Sequence, residues 1–208
     1  MSGRTFTVAV TGASGILYAR RLCQVLARLR NTRVHLLMSD AGARVMREEL
    51  GVEAGLPDGG RVIRALVGER PANFRYEALD NIGAAIASGT HRVDAMVVIP
   101  CSMGTLGGIA SGTSRNLIER AADVQLKERR NLILVVRETP LSTIALENLV
   151  TVARAGACVL PAMPGFYHLP KTVEDLVDFV VGKVLTQMGL DNELIRRRVE
   201  KSRGLSKK

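Results

Sequence analysis

Three cations and one carboxylate frame a short apolar run. In residues 116–140, NLIERAADVQLKERRNLILVVRETP, Arg120 and Lys127 precede the uncharged NLILVV, and Arg137 and Glu138 follow it directly. Seven residues, about two helical turns, separate Arg120 from Lys127, which sets both on one helix face roughly 10 Å apart along the axis. A charge placed straight after six apolar residues faces partial burial and needs a partner. Cations converging on a crevice suit a phosphate, and a carboxylate beside them suits proton transfer. Glu128, Arg129 and Arg130 read as a solvated helix end.

Other loops carry hydroxyls and glycines. TGASG, residues 11–15, joins a strand pattern to a helix pattern. Its glycines permit a tight turn and close ligand approach, and N–H groups at a helix start favour an anion. The plainer reading makes Ser14 the N-cap of that helix. In SDAG, Ser39 is an N-cap or a ligand contact in equal measure. PCSMGTLGG offers Ser102, Gly104 and Thr105 as a polar lip, with Cys101 as a small core residue rather than a nucleophile. In PGFYHLPK, Tyr167 offers a hydroxyl to a phosphate and a ring to an apolar group, or else packs as a plug. His168 receives no role, and His35 and His91 lack metal-ligand spacing. The acids of EDLVD sit behind Thr172 in the first turn of a last helix, where they suit the macrodipole, so no metal site is predicted.

Two features point elsewhere and fail. TGASG opens like the T-G-A-S-G-x-x-G turn of short-chain dehydrogenases, but Tyr18 stands where the last glycine belongs. Tyr167 and Lys171 spell Y-x-x-x-K, but Pro170 interrupts the helical turn that pair requires.

These residues need elements to position them. Strand patterns fall at residues 6–10, 33–39, 94–100, 131–136 and 157–161, with helices between them and a last helix from Val173 to about Met188. Residues 51–60, rich in Gly, Pro and Asp, read as loop. Apolar strands alternating with helices predict an α/β fold, a flavodoxin- or Rossmann-like parallel sheet with helices on both faces. In such sheets ligands bind beyond the carboxyl ends of the strands, where all five of these loops fall. A single domain over residues 1–190 is expected, followed by a basic tail over 191–208 with seven cations and three anions. The net charge of +9 owes much to that tail, and no aromatic platforms interleave with it, which disfavours nucleic acid. Three widely spaced cysteines give neither a zinc motif nor a disulfide framework and suit a reducing cytoplasm. Neither a signal peptide nor a membrane-spanning run is expected.

With its loops in this order the chain resembles the UbiX-type flavin prenyltransferases from TGASG to about Asp191. ERAADVQLKERR, VRETPLSTIALENL and PAMPGFYHLPKTVEDLVD are the most specific pieces. The resemblance implies that reduced FMN is alkylated at N5 and C6 by dimethylallyl monophosphate without a metal, giving prenylated FMN for a UbiD-type decarboxylase. By motif match, Gly12, Ala13, Ser14, Ser39, Ser102, Met103, Gly104, Thr105 and Arg137 hold FMN. Arg120, Lys127, Tyr167 and Lys183 hold the donor, Glu49 borders it, and Ser14 and Glu138 relay protons. Family dodecamers place active sites between subunits. Lys183 replaces an arginine found in some members, and Ile82 a tryptophan over the prenyl group, so donor affinity or prenyl fit differs from theirs. An FMN-dependent cysteine-type decarboxylase, whose motifs PCSMGT and PAMPG only echo, and a non-catalytic FMN carrier are the alternatives.

Overall fold

The computed structural model describes residues 3–52, 58–69 and 71–194. Six parallel strands form one sheet: β1 (Arg4–Val10), β2 (Thr32–Met38), β3 (Phe74–Tyr76), β4 (Ala95–Cys101), β5 (Asn131–Val136) and β6 (Cys158–Val159). Their order is β3-β2-β1-β4-β5-β6. The chain therefore winds outward from β1 in one direction, returns to the centre, and winds outward from β4 in the other. A crevice opens where the two halves diverge, beyond the carboxyl ends of β1 and β4.

Side chains alternate along each strand, so the sheet feeds two cores. Phe6, Val8, Val10, Val34, Leu36 and Met38 face α1 (Ile16–Ala27), α3 (Gly59–Val67) and α7 (Val173–Gln187). Ala9, Leu37, Met96, Val98, Leu132 and Leu134 face α4 (Met103–Ala110), α5 (Leu117–Lys127) and α6 (Thr143–Arg154). Central β4 is buried at all seven positions, the near-continuous apolar run that a strand covered on both faces requires.

The sheet has one strand more than the five expected. β3 lies at the edge and pairs with β2 through only three positions, Val34 with Phe74, His35 with Arg75 and Leu36 with Tyr76. Three residues are too few to show an alternation. The strand expected at 157–161 pairs through only Cys158 and Val159. In the stretch read as loop, Asp58 caps α3 by accepting from the Arg61 N–H at 3.1 Å, so Gly59 and Gly60 are helical. Residues 53–57 of that loop, and the tail from 195 onward, lie outside the described residues. No helix among the described residues is long and apolar enough to cross a membrane.

α2 (Asp40–Leu50) crosses the rim of the crevice. Near its start Ala41 packs on Gly12, where an added Cβ would lie 2.4 Å from the Ala41 Cβ. Near its end Glu49 reaches the start of α1. Both ends of this helix therefore touch the loop that follows β1.

Candidate functional site

The two loops at the switch point are stitched by one hydroxyl. Thr11, just past β1 and 1% exposed, donates to the Pro100 carbonyl at 2.7 Å and accepts from the Ser102 N–H at 2.8 Å. Thr11 is absent from the residues that the sequence points to in this loop; of those, Ser14 is exposed, Gly12 partly buried and Ala13 buried. The signal for Thr11 was a hydroxyl immediately after a run of buried apolar residues, where it needs partners.

The start of α1 departs from expectation. Ser14 does not cap it. Gly15, left-handed at φ +114°, holds the N-cap position and has no side chain to offer. The Glu49 carboxylate stands in, taking the Gly15 N–H at 3.0 and 3.1 Å and the Ile16 N–H at 2.9 Å. The anion expected at this helix start is thus a side chain of the protein. Ser14, one residue earlier, is exposed, and its carbonyl accepts from Arg137 Nε at 3.1 Å.

Ser39 and Ser102 are both N-caps. Ser39 Oγ accepts from the Gly42 N–H at 3.0 Å, and Ser102 Oγ from the Thr105 N–H at 3.4 Å while donating to Thr105 Oγ1 at 3.2 Å. A cap uses a lone pair, so the Ser39 hydroxyl proton remains for a ligand. The two readings of Ser39 are therefore compatible. Met103 and Gly104 form the first turn of α4, and the space where a Gly104 side chain would stand is open to 4 Å. Cys101 is fully buried, and burial pushes its thiol up to about 12, which makes it inert at neutral pH. Beyond β5, Arg137 is half-buried and meets its need for a partner at Ser14. The exposed Glu138 accepts the Thr139 N–H at 3.2 Å.

A family model described as Flavoprotein matches residues 1–185. The flavin prenyltransferase UbiX of Halalkalibacterium halodurans is 50% identical over 192 residues, 92% of each chain. This chain belongs to the UbiX flavin prenyltransferase family. A UbiX protein crystallised with FMN and dimethylallyl pyrophosphate matches it with a TM-score of 0.79 at 40% identity, covering 91% of this chain and 94% of that one. A dodecameric FMN-dependent UbiX-like decarboxylase from Escherichia coli O157:H7 also matches with a TM-score of 0.79, at 41% identity, covering 90% and 95%.

The residues matched to the UbiX donor site fall into two groups. Tyr167 and Lys183 converge on Phe179 of α7. The Tyr167 ring meets it edge-on at 5.7 Å, and Lys183 Nζ lies 5.9 Å from its centroid. Phe179 was not anticipated, although its i, i+4 spacing from Lys183 places both on one helix face. Arg120 and Lys127 lie elsewhere. Arg120 donates to the Ala87 carbonyl at 3.2 Å and to Asp123 at 3.0 Å. Lys127 ends α5 four residues before β5 and so sits at the amino rim of the sheet. Arg137 follows the carboxyl end of β5, about 20 Å away along a six-residue strand. The gathering of all three cations expected from sequence spacing does not occur within one chain, because a helix antiparallel to the strands returns its last turn to the opposite rim.

Arg130 also departs from its solvated reading. It donates to the His91 carbonyl at 2.8 Å and the Gly89 carbonyl at 2.6 Å, pinning the loop before β4. Glu119, in the ERAADVQLKERR motif, is 2% exposed. It accepts from the Arg115 N–H and guanidinium and from the Thr113 hydroxyl, which fixes the turn into α5. Burial opposes its ionisation, but these bonds together hold its carboxyl below the ordinary value. Two of the EDLVD acids are engaged structurally. Thr172 and Asp175 form a reciprocal capping box, and Asp178 pairs with Arg21 at 2.6 Å.

Proposed function

We propose that this chain transfers a dimethylallyl group from dimethylallyl monophosphate to N5 and C6 of reduced FMN, making the prenylated flavin used by a UbiD-type decarboxylase. The observation that carries this reading is the switch-point crevice. There the loop 11–15 is tied to Arg137 by the Ser14 carbonyl and to the α4 start by Thr11, in a chain of the UbiX family.

The donor set fits a flavin. The Ser14, Ser39 and Thr105 hydroxyls, two capped helix starts and the Arg137 guanidinium offer neutral and cationic donors to a phosphate and to ring heteroatoms, with Ser102 orienting Thr105 by donating to it. The open space at Gly104 lets a ring approach the backbone. Gly12, Ala13, Ser14, Ser39, Ser102, Met103, Gly104, Thr105 and Arg137 are assigned to FMN. Reduced FMN supplies the nucleophilic N5 and C6.

Tyr167, Lys183, Arg120 and Lys127 are assigned to the donor phosphate, with Glu49 at its border. Phosphate departure develops negative charge, and preorganised cations are the economical way to stabilise it without a metal. Ser14 and Glu138 move the protons, with Glu138 taking the one released at C6. Because Lys127 lies about 20 Å along the sheet from Arg137, the complete site draws on more than one copy of the chain, in a homododecamer like that of its Escherichia coli relative. All three cysteines are free thiols, which suits a reducing cytoplasm.

The test is to incubate the purified protein anaerobically with reduced FMN and dimethylallyl monophosphate or diphosphate, and to weigh the extracted flavin. A flavin heavier by one prenyl group is expected with the monophosphate. FMN returned unchanged with both donors would refute the transfer and leave a carrier.

A further inference from the structure

We propose that Glu49 is a positioning residue for Ser14, acting as a cap that α2 lends to α1. This rests on the reading of loop 11–15 as part of the flavin site. α1 cannot cap itself. Gly15 occupies its N-cap with left-handed backbone and no side chain, and an added Cβ there would lie 2.9 Å from the Tyr18 ring. The exposed N–H groups of the first turn must therefore find an acceptor on another element or in water. Glu49 supplies it with both carboxylate oxygens, at 3.0 and 3.1 Å from Gly15 N and 2.9 Å from Ile16 N.

The location of Glu49 supports a role outside its own helix. It lies in the last turn of α2, where a carboxylate opposes that helix's macrodipole. The positive end of α1 offsets that cost. Glu48, its neighbour, turns away to pair with Arg44 at 2.9 Å on the α2 surface. Glu49 alone of the two is drawn to the crevice.

The result is a clamp with Ser14 at its centre. Arg137 holds the Ser14 carbonyl from one side, and Glu49 holds the next two N–H groups from the other. Removing Glu49 releases the first turn of α1 and with it the orientation of the Ser14 hydroxyl. It also leaves two adjacent N–H groups at a helix start, a vacant place for a small carboxylate.

That vacancy provides the test. FMN is titrated by fluorescence onto the full chain as wild type, E49A and E49Q, each in sodium formate or sodium chloride of equal ionic strength, with no prenyl donor present. E49A is expected to bind FMN roughly tenfold more weakly in chloride. Formate, which can bridge both N–H groups, is expected to restore the affinity. E49Q keeps one acceptor oxygen and is expected to lose less. A general packing defect would show no preference for formate. Wild-type affinity in E49A, or a loss that formate leaves unchanged, overturns the positioning role. Should E49A not fold by circular dichroism, E49Q decides: a partial loss supports the clamp, and wild-type affinity overturns it. Failure of the wild type itself to bind FMN removes the flavin reading and this inference together, whereas failure confined to the variants removes only the inference.

Discussion

At the scale of single residues, chemistry and support are carried by different side chains. Glu138 is exposed and tied locally to Thr139, so changing it should leave binding intact and slow the reaction. E138Q is expected to retain FMN affinity while kcat falls by about two to four orders of magnitude, measured by anaerobic single-turnover absorbance. A matching loss of FMN binding would instead place Glu138 among the flavin contacts. The cysteines give a prediction of opposite character. Burial pushes the Cys23 and Cys101 thiols from 9.0 to about 12. Below pH 9 both states keep these protons and the native preference for the thiol is fully expressed. As pH rises from 9 towards 12 the unfolded chain releases protons that the native core retains, so stability declines. The expected slope is about 1.4 kcal/mol per pH unit for each thiol, read from urea midpoints. C101A should flatten it by one thiol's share, and an unchanged slope would assign the alkaline loss to other groups.

At the scale of elements, the crevice is held by contacts between loops that are far apart in sequence. Thr11 pairs through its hydroxyl with two backbone groups roughly ninety residues away, and the Pro100 carbonyl also accepts from the Thr11 N–H at 3.3 Å. T11V, similar in shape but without the hydroxyl, leaves the Ser102 N–H unpaired and the Pro100 carbonyl with only the backbone N–H of residue 11. It should cost about 1–3 kcal/mol by chemical denaturation and weaken FMN binding, since the α4 start then loses its tie to loop 11–15. A variant of normal stability and FMN affinity would show that the stitch is dispensable. The same distinction between local and distant contacts explains what could be read from the chain. β4 and β5 were legible because each is a near-continuous apolar run, β1 and β2 because Thr7 and His35 are the only breaks in runs of buried apolar residues, and α7 because Thr172 and Asp175 announce its start within four residues. Ser39 was legible as a cap for the same local reason, whereas Ser102, whose sequence suggests only a polar lip, is a cap in the structure. β3 was not, since three residues at an edge carry no period. Nor was the Glu49 cap, because nothing near Gly15 in sequence says which of several acids will reach it. Arg120 and Lys127 were correctly placed on one helix, but spacing along a helix does not reveal which rim of the sheet its end approaches.

At the scale of the whole molecule, that rim decides how many chains an active site requires. Lys127 precedes β5 and Arg137-Glu138 follow it, so a rigid six-residue strand separates them in every copy. Side-chain reach cannot close about 20 Å, and neither can a loop movement that keeps the sheet intact. If both ends serve one reaction, they come from different copies. α6 offers a surface suited to such contacts. Of its twelve residues only Ala145 and Val152 are buried, and Ile144, Leu146 and Val150 are exposed apolar side chains. The consequence can be measured without a structure of the assembly. K127A and E138Q are each expected to be inactive as homo-oligomers. Co-expressed in equal amounts with separable tags, they form mixed assemblies in which some sites draw an intact Lys127 from one copy and an intact Glu138 from another. Random mixing then returns roughly a quarter of wild-type prenylation, because each of the two independent positions is intact half the time. A site built within one chain would behave otherwise, since every copy would carry one defect and the mixture would stay as inactive as its parts.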